Sequence, residues 1–183
     1  MKKFFAALLT AAFVGVSATA LAANSFSDVP AMHWAYKSVT RMADAGILIP
    51  SANGKYEGDR NVTRSEMAQM SANLLKKLSP NSAADADKLV KTWSKDGNKD
   101  ITRYDIAIML ADVYAKVNNG TLPAAPQAFS DVPKKHAASN AINLMAATEV
   151  MEGYGDGTFR GDRTMTRYEA ALLLSNLYGR LSK

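Results

Sequence analysis

Apolar residues recur at helical spacing in three long stretches of this chain, and each stretch opens on the same polar signal. Ala170, Leu173, Leu174 and Leu177 fall on one helical face, as do Ile106, Met109, Leu110, Val113 and Val117. Met67 and Met70 lie on the matching face of a third stretch that runs to about Leu78. A threonine stands before each run, at Thr63, Thr102 and Thr166. Its hydroxyl can accept from the free N–H groups of the first turn. Glu66 and Glu169 stand three residues further on and complete capping boxes. The pattern predicts three long capped helices.

Upstream of two of them the chain carries glycine-rich turns, with Asn53-Gly54 in one and Gly155, Asp156 and Gly157 in the other. Further upstream, Asp28 and Pro30 predict a turn into a helix that starts near Ala31. Trp34, Val39 and Met42 would share or border its buried face, and Gly46 ends it. Ile47, Leu48 and Ile49 form a short apolar connector.

The two ends of the chain are copies of each other. Residues 26–30 (FSDVP) recur at 129–133, His33 matches His136, and Gly58-Asp59-Arg60 matches Gly161-Asp162-Arg163. The offset is a constant 103 residues across about fifty positions, so this is an internal repeat. The middle stretch carries only the loop and cap, GNKDITR at 97–103, after a short helix over 85–93. The segmentation is a leader at 1–23, a first unit at 24–79, a degenerate second unit at 80–118, a linker at 119–128 and a third unit at 129–183. One helix–loop–helix unit cannot bury its apolar face alone, and about three such units are the usual minimum for a shared core. The expected fold is all-α, a pseudo-threefold bundle with the long helices converging.

The first residues read as an export signal rather than as structure. Lys2 and Lys3 precede an uncharged apolar run, and Ala20-Leu21-Ala22 supplies the small residues of a cleavage site after Ala22 or Ala23. The run is shorter than the ~20 residues of a membrane span, so a mature form without a span is expected. Removing the leader takes the formal charge from +5 to +3. That surplus is scattered, which argues against a nucleic-acid partner. With no cysteine there is no disulfide framework or thiol chemistry. Two histidines at equivalent repeat positions point to a shared structural role, and no metal-ligand spacing is present. Asp96, Asn98 and Asp100 open like a calcium loop, but Ile101 and Ala107 occupy the positions that need Gly and Glu. No nucleophile motif appears. The sequence therefore predicts a binding protein without cofactor or catalytic residues.

The FSDVP lead-in, His33-Trp34-Ala35, Gly46-Ile47, GYGDGTF at 153–159 and Thr-Arg-x-Glu at 63–66 and 166–169 together resemble the S-layer homology (SLH) family. The wording at 153–169 is similar to members from outer-membrane-bearing Firmicutes. The resemblance implies a three-unit helical module that holds exported proteins non-covalently on a cell-wall polymer. That polymer is peptidoglycan or a secondary wall polysaccharide, and a non-covalent envelope protein partner is conceivable because no barrel follows Lys183. The alternative expectation is a self-assembling surface-layer subunit.

The candidate ligand residues are Trp34, Arg64, Arg103, Arg167, Asp156 and Gly157. Each arginine follows an N-cap, where a fixed cation beside the positive helix end would attract a carboxylate and hold it bidentately. Trp34 would give a sugar ring a flat platform, while Asp156 and Gly157 would shape the adjoining loop. Against this stands a purely internal use, in which the arginines pair with Glu66 or Glu169 and pin neighbouring units, and Trp34 anchors the core. His136 is followed by Ala137 rather than Trp, so one or two working pockets are expected rather than three.

Overall fold

The computed structural model describes residues 26–120 and 122–182. The leader and the exact ends of the first and third units lie outside them. Among the described residues six helices form: α1 (Tyr36–Asp44), α2 (Arg64–Leu78), α3 (Ala83–Trp93), α4 (Arg103–Val117), α5 (Ser139–Ala147) and α6 (Arg167–Leu181). The chain adopts the expected helical class, and pairing outside helices among the described residues is limited to three isolated bridges. No helix among the described residues is long and apolar enough to cross a membrane.

The long helices start where the capping signals stand. Thr63 and Thr166 accept from the N–H of Glu66 and Glu169, and both glutamates bond back to the cap N–H. Thr102 accepts from Asp105 N–H. The first short helix departs from expectation. It begins at Tyr36 rather than near Ala31, because residues 30–36 close two tight turns, His33 N–H to Pro30 O and Tyr36 N–H to His33 O. His33 Nδ1 accepts from Ala35 N–H at 3.2 Å and stabilises the second turn. Trp34 thus precedes α1 and is 60% exposed instead of bordering its buried face.

Each short helix packs mainly on a long helix that is not its own sequence neighbour downstream: α1 on α6, α3 on α2, and α5 on α4. The long helices α2, α4 and α6 touch one another. Between them they bury Met67, Met70, Leu74, Ile106, Met109, Leu110, Leu174 and Leu177 completely. The apolar face of each pair is covered by another pair, which is why the repeats share one core.

Candidate functional site

The first turns of the long helices are joints. Arg64 N–H and Ser65 N–H donate to Lys99 O and Gly97 O, Arg103 N–H and Tyr104 N–H to Arg163 O and Gly161 O, and Arg167 N–H and Tyr168 N–H to Arg60 O and Gly58 O. The same bond pair thus runs from first unit to second, second to third, and third back to first. Helix starts leave N–H groups unpaired unless something accepts from them, and here the neighbour's loop does. Two amides at each long-helix start are thereby bonded to a neighbouring loop and are not free for an incoming carboxylate.

The three arginines enter the same joints but end differently. Arg167 is fully buried. Its Nε donates to Tyr56 O at 2.7 Å, its Nη2 to Ile49 O and its Nη1 to Glu66 at 2.8 Å. The guanidinium lies 4.8 Å from the Tyr56 ring centre. Arg64 pairs with Asp105 and covers the Trp93 ring at 5.0 Å. Arg103 is 5% exposed. Its Nε donates to Phe159 O at 2.9 Å and its Nη2 to Glu152 O at 2.7 Å. It lies 4.4 Å from the Phe159 ring and 5.5 Å from Tyr154. The carboxylate equivalent to Glu66 is Glu169, and Arg163 and Thr166 N–H hold it instead. Arg103 is in no ion pair among the described residues. Burial pushes its pKa down and the charge of Arg163 adds to that, against the opposing pull of Tyr154, Glu169 and Asp131. It lines a pocket of about 400 Å³ with Val150, Glu152, Met165, Glu169, Leu172, Leu173 and Asn176.

Above two joints sit aromatic stacks that sequence reading missed. Tyr168 faces His33 at 4.1 Å and lies 6.0 Å from Trp34, while Tyr104 stacks on His136 at 4.2 Å. Both rings cover a glycine, Gly58 or Gly161. At the remaining joint the equivalent residue is Ser65, against Gly97. The signal was present as Thr-Arg-Tyr at 102–104 and 166–168 against Thr-Arg-Ser at 63–65.

The lead-in aspartates fix the loops. Asp28 accepts from Tyr56 and Glu57 N–H at 2.9 and 2.7 Å, and Asp131 accepts from Phe159 and Arg160 N–H at 2.7 and 2.8 Å. They hold Glu57 and Arg160 at φ of 53° and 55°, a left-handed conformation costly for non-glycine residues. Asp156 accepts from the hydroxyl and N–H of Thr158 and pairs with Arg160 at 2.8 Å. These bonds bring its pKa down to about 2. Gly157, at φ 78°, offers its carbonyl to Ser130 N–H. Arg103 and the 154–160 loop therefore meet at one joint, Trp34 and Arg167 meet at another, and Arg64 stands at the third.

Glu66 ties two of these systems together. Burial pushes its pKa up, but bonds from Arg60 and Thr63 N–H and the charge of Arg167 outweigh that and bring it from 4.5 to about 2. A depressed acid stabilises the fold above its unfolded pKa and loses that contribution as pH falls through the folded value. Stability should therefore drop between about pH 4.5 and pH 2, and Glu66→Gln should flatten that limb. Urea midpoints across this range measure it.

The sequence model of the S-layer homology domain matches residues 25–68 and 128–171. Outer membrane protein SlpA of Thermus thermophilus is 51% identical over 49 residues, which is 27% of this chain and 5% of the relative. S-layer protein sap of Bacillus anthracis is 30% identical over 199 residues, covering 95% of this chain and 24% of the relative. Outer membrane protein alpha of Thermotoga maritima is 43% identical over 68 residues, or 37% of this chain and 17% of the relative. The chain thus spans about a quarter or less of the length of these relatives. The two matched stretches contain the loops and helix starts that the first and third units bring to the joints, whereas Gly97, Lys99, Arg103 and Tyr104 lie outside them, and the relatives are proteins of the cell surface. The chain carries two S-layer homology domains, at residues 25–68 and 128–171, and its place is the cell envelope.

Proposed function

We propose that the chain binds an acidic cell-wall polymer, peptidoglycan or a secondary wall polysaccharide, and so tethers protein non-covalently to the envelope. The observation that carries this reading is Arg103, a guanidinium 5% exposed, without a carboxylate partner, on the wall of a pocket. An uncompensated buried charge is costly. A ligand acid would supply the countercharge, and charge-assisted bonds to a guanidinium are among the stronger polar contacts. Asp156 and Gly157 shape the loop beside it. At the next joint, exposed Trp34 offers a sugar ring its platform while Arg167 holds the loop beneath. Arg64, part-covered by Trp93, is a weaker acid-binding candidate because Asp105 already neutralises it.

A self-assembling subunit is less well supported. The exposed large apolar side chains among the described residues are Met32, Trp34, Leu122 and Leu172, too few for the apolar core of a stable interface.

Sedimentation with purified cell-wall sacculi, before and after acid extraction of accessory polymers, tests the proposal. Arg103→Ala should weaken binding about 10- to 100-fold, the range of a lost charge-assisted bond. Arg103→Lys keeps the charge without the planar fork and should fall between. Thermal melts would confirm that the variants remain folded. Undiminished binding by a folded Arg103→Ala chain would overturn the assignment. Binding that survives extraction would identify peptidoglycan, and binding lost on extraction an accessory polymer.

A further inference from the structure

The Arg103 pocket differs from its counterpart one repeat away in a way that specifies more than an acid. At the 103-residue offset, Glu152 replaces Ile49, Leu172 replaces Gln69 and Leu173 replaces Met70. At the first-unit site Arg167 spends its Nη1 on Glu66, so that joint is neutralised from within. At the third-unit site Glu169 is paired with Arg163, and Arg103, which lines the same pocket, makes no ion pair among the described residues. Glu152 lines the same pocket, is exposed and is in no ion pair among the described residues. Its main chain is fixed there, because its carbonyl accepts Arg103 Nη2 at 2.7 Å. Leu172 is one of the few exposed large apolar side chains among the described residues, and it lies on this wall.

The pocket thus combines a buried cation and an exposed anion, neither of them in an ion pair among the described residues, with apolar side chains and with Glu169, which Arg163 holds. We propose that it takes an amino-acid end of the ligand: a carboxylate on Arg103, methylenes along Val150, Leu172 and Leu173, and an ammonium at Glu152. In a wall polymer this chemistry belongs to a C-terminal diamino acid of a peptide, whose α-carboxylate and side-chain ammonium stand a run of methylenes apart, and those methylenes suit the apolar wall better than a sugar ring does. The inference rests on the acid-binding reading above and narrows it.

Small probes separate the two. Hexanoate, 6-aminohexanoate, hexylamine and muramic acid would each be titrated into the ¹⁵N-labelled chain, following the amide shifts of Leu172 and Leu173. The expected result is saturable binding of 6-aminohexanoate, about two- to fivefold tighter than hexanoate, which is what one exposed ion pair is worth. Glu152→Gln should remove that preference, and hexylamine alone should bind more weakly than either. Equal binding of hexanoate and 6-aminohexanoate, or a preference that survives Glu152→Gln, would overturn the ammonium site and leave acid binding standing. No saturable shift with hexanoate or 6-aminohexanoate would overturn both readings. Tighter binding of muramic acid than of 6-aminohexanoate would overturn the peptide assignment.

Discussion

Arg167→Ala should cost the fold about 3–5 kcal/mol, the usual penalty for removing one partner of a buried ion pair. For a chain of this size that lowers the melting midpoint by about 6–20 °C. The side chain is fully buried and joins the third unit to the first through three separate acceptors. Without it, Tyr56 O and Ile49 O lose their donors, and Glu66 keeps only Arg60 and Thr63 N–H as partners. Tyr56 also loses the cation over its ring, although its hydroxyl still donates to Arg167 O at 2.6 Å through a main chain that the substitution does not remove. Arg167→Met fills the volume without satisfying the carbonyls, so it should recover only part of the loss. Thermal unfolding of the three proteins decides it. A midpoint for Arg167→Ala within 2 °C of the parent chain would show that this joint does not hold the units together.

Gly58→Ala should cost about 1–3 kcal/mol through overpacking. A Cβ at Gly58 would lie 2.2 Å from the Tyr168 ring, inside any tolerated contact. The ring has little room to yield. Its own N–H is bonded to Gly58 O at 2.9 Å, its hydroxyl donates to Asp28 O at 3.2 Å, and His33 lies 4.1 Å from its centre. The chain itself suggests the compensation, since Ser65 occupies the equivalent place at the joint with Gly97. The double variant Gly58→Ala/Tyr168→Ser should therefore lose less than the sum of the two single changes, by about 0.5–3 kcal/mol of coupling. Gly155→Ala is the control. Nothing lies within 4 Å of a Cβ there, so its effect should stay within about 0.5 kcal/mol. Additivity of Gly58→Ala and Tyr168→Ser would sink the steric account.

The capped helices, the tight loops and the repeat were legible because each is written within a few residues. Thr63 and Glu66 form their capping box across three positions, and Asp156 reaches Thr158 across two. Helical spacing of Leu173, Leu174 and Leu177 marks a buried face regardless of what buries it. The start of α1 was misread for the same local reason. Pro30 and the run after it look like a helix N-terminus, yet His33 Nδ1 stabilises a separate turn and delays the helix to Tyr36.

The candidate arginines were identified by their place after the caps, but their surroundings were not legible. Arg167 meets Tyr56 across 111 residues and Arg103 meets Phe159 across 56. Nothing in Thr102-Arg103-Tyr104 or Thr166-Arg167-Tyr168 tells which of the two arginines will find a glutamate. The answer depends on whether the neighbouring unit's Arg163 or Arg60 claims that carboxylate, and in what geometry. Arg60 shares Glu66 with Arg167, whereas Arg163 and the Thr166 N–H take Glu169 and leave Arg103 unpaired.

By itself, then, the sequence determined the helical class, the starts of the three long helices, the repeat and the residue types at each joint, because backbone propensity, capping and periodicity act over three or four positions. Only the tertiary structure decided that each short helix would cover another pair's long helix. It also decided that the helix-start amides would be spent on neighbouring loops, and that Arg103, unlike Arg64 and Arg167, would line its pocket in no ion pair among the described residues. Those outcomes depend on which distant groups compete for the same donors and acceptors, and that competition exists only once the units have closed on one another.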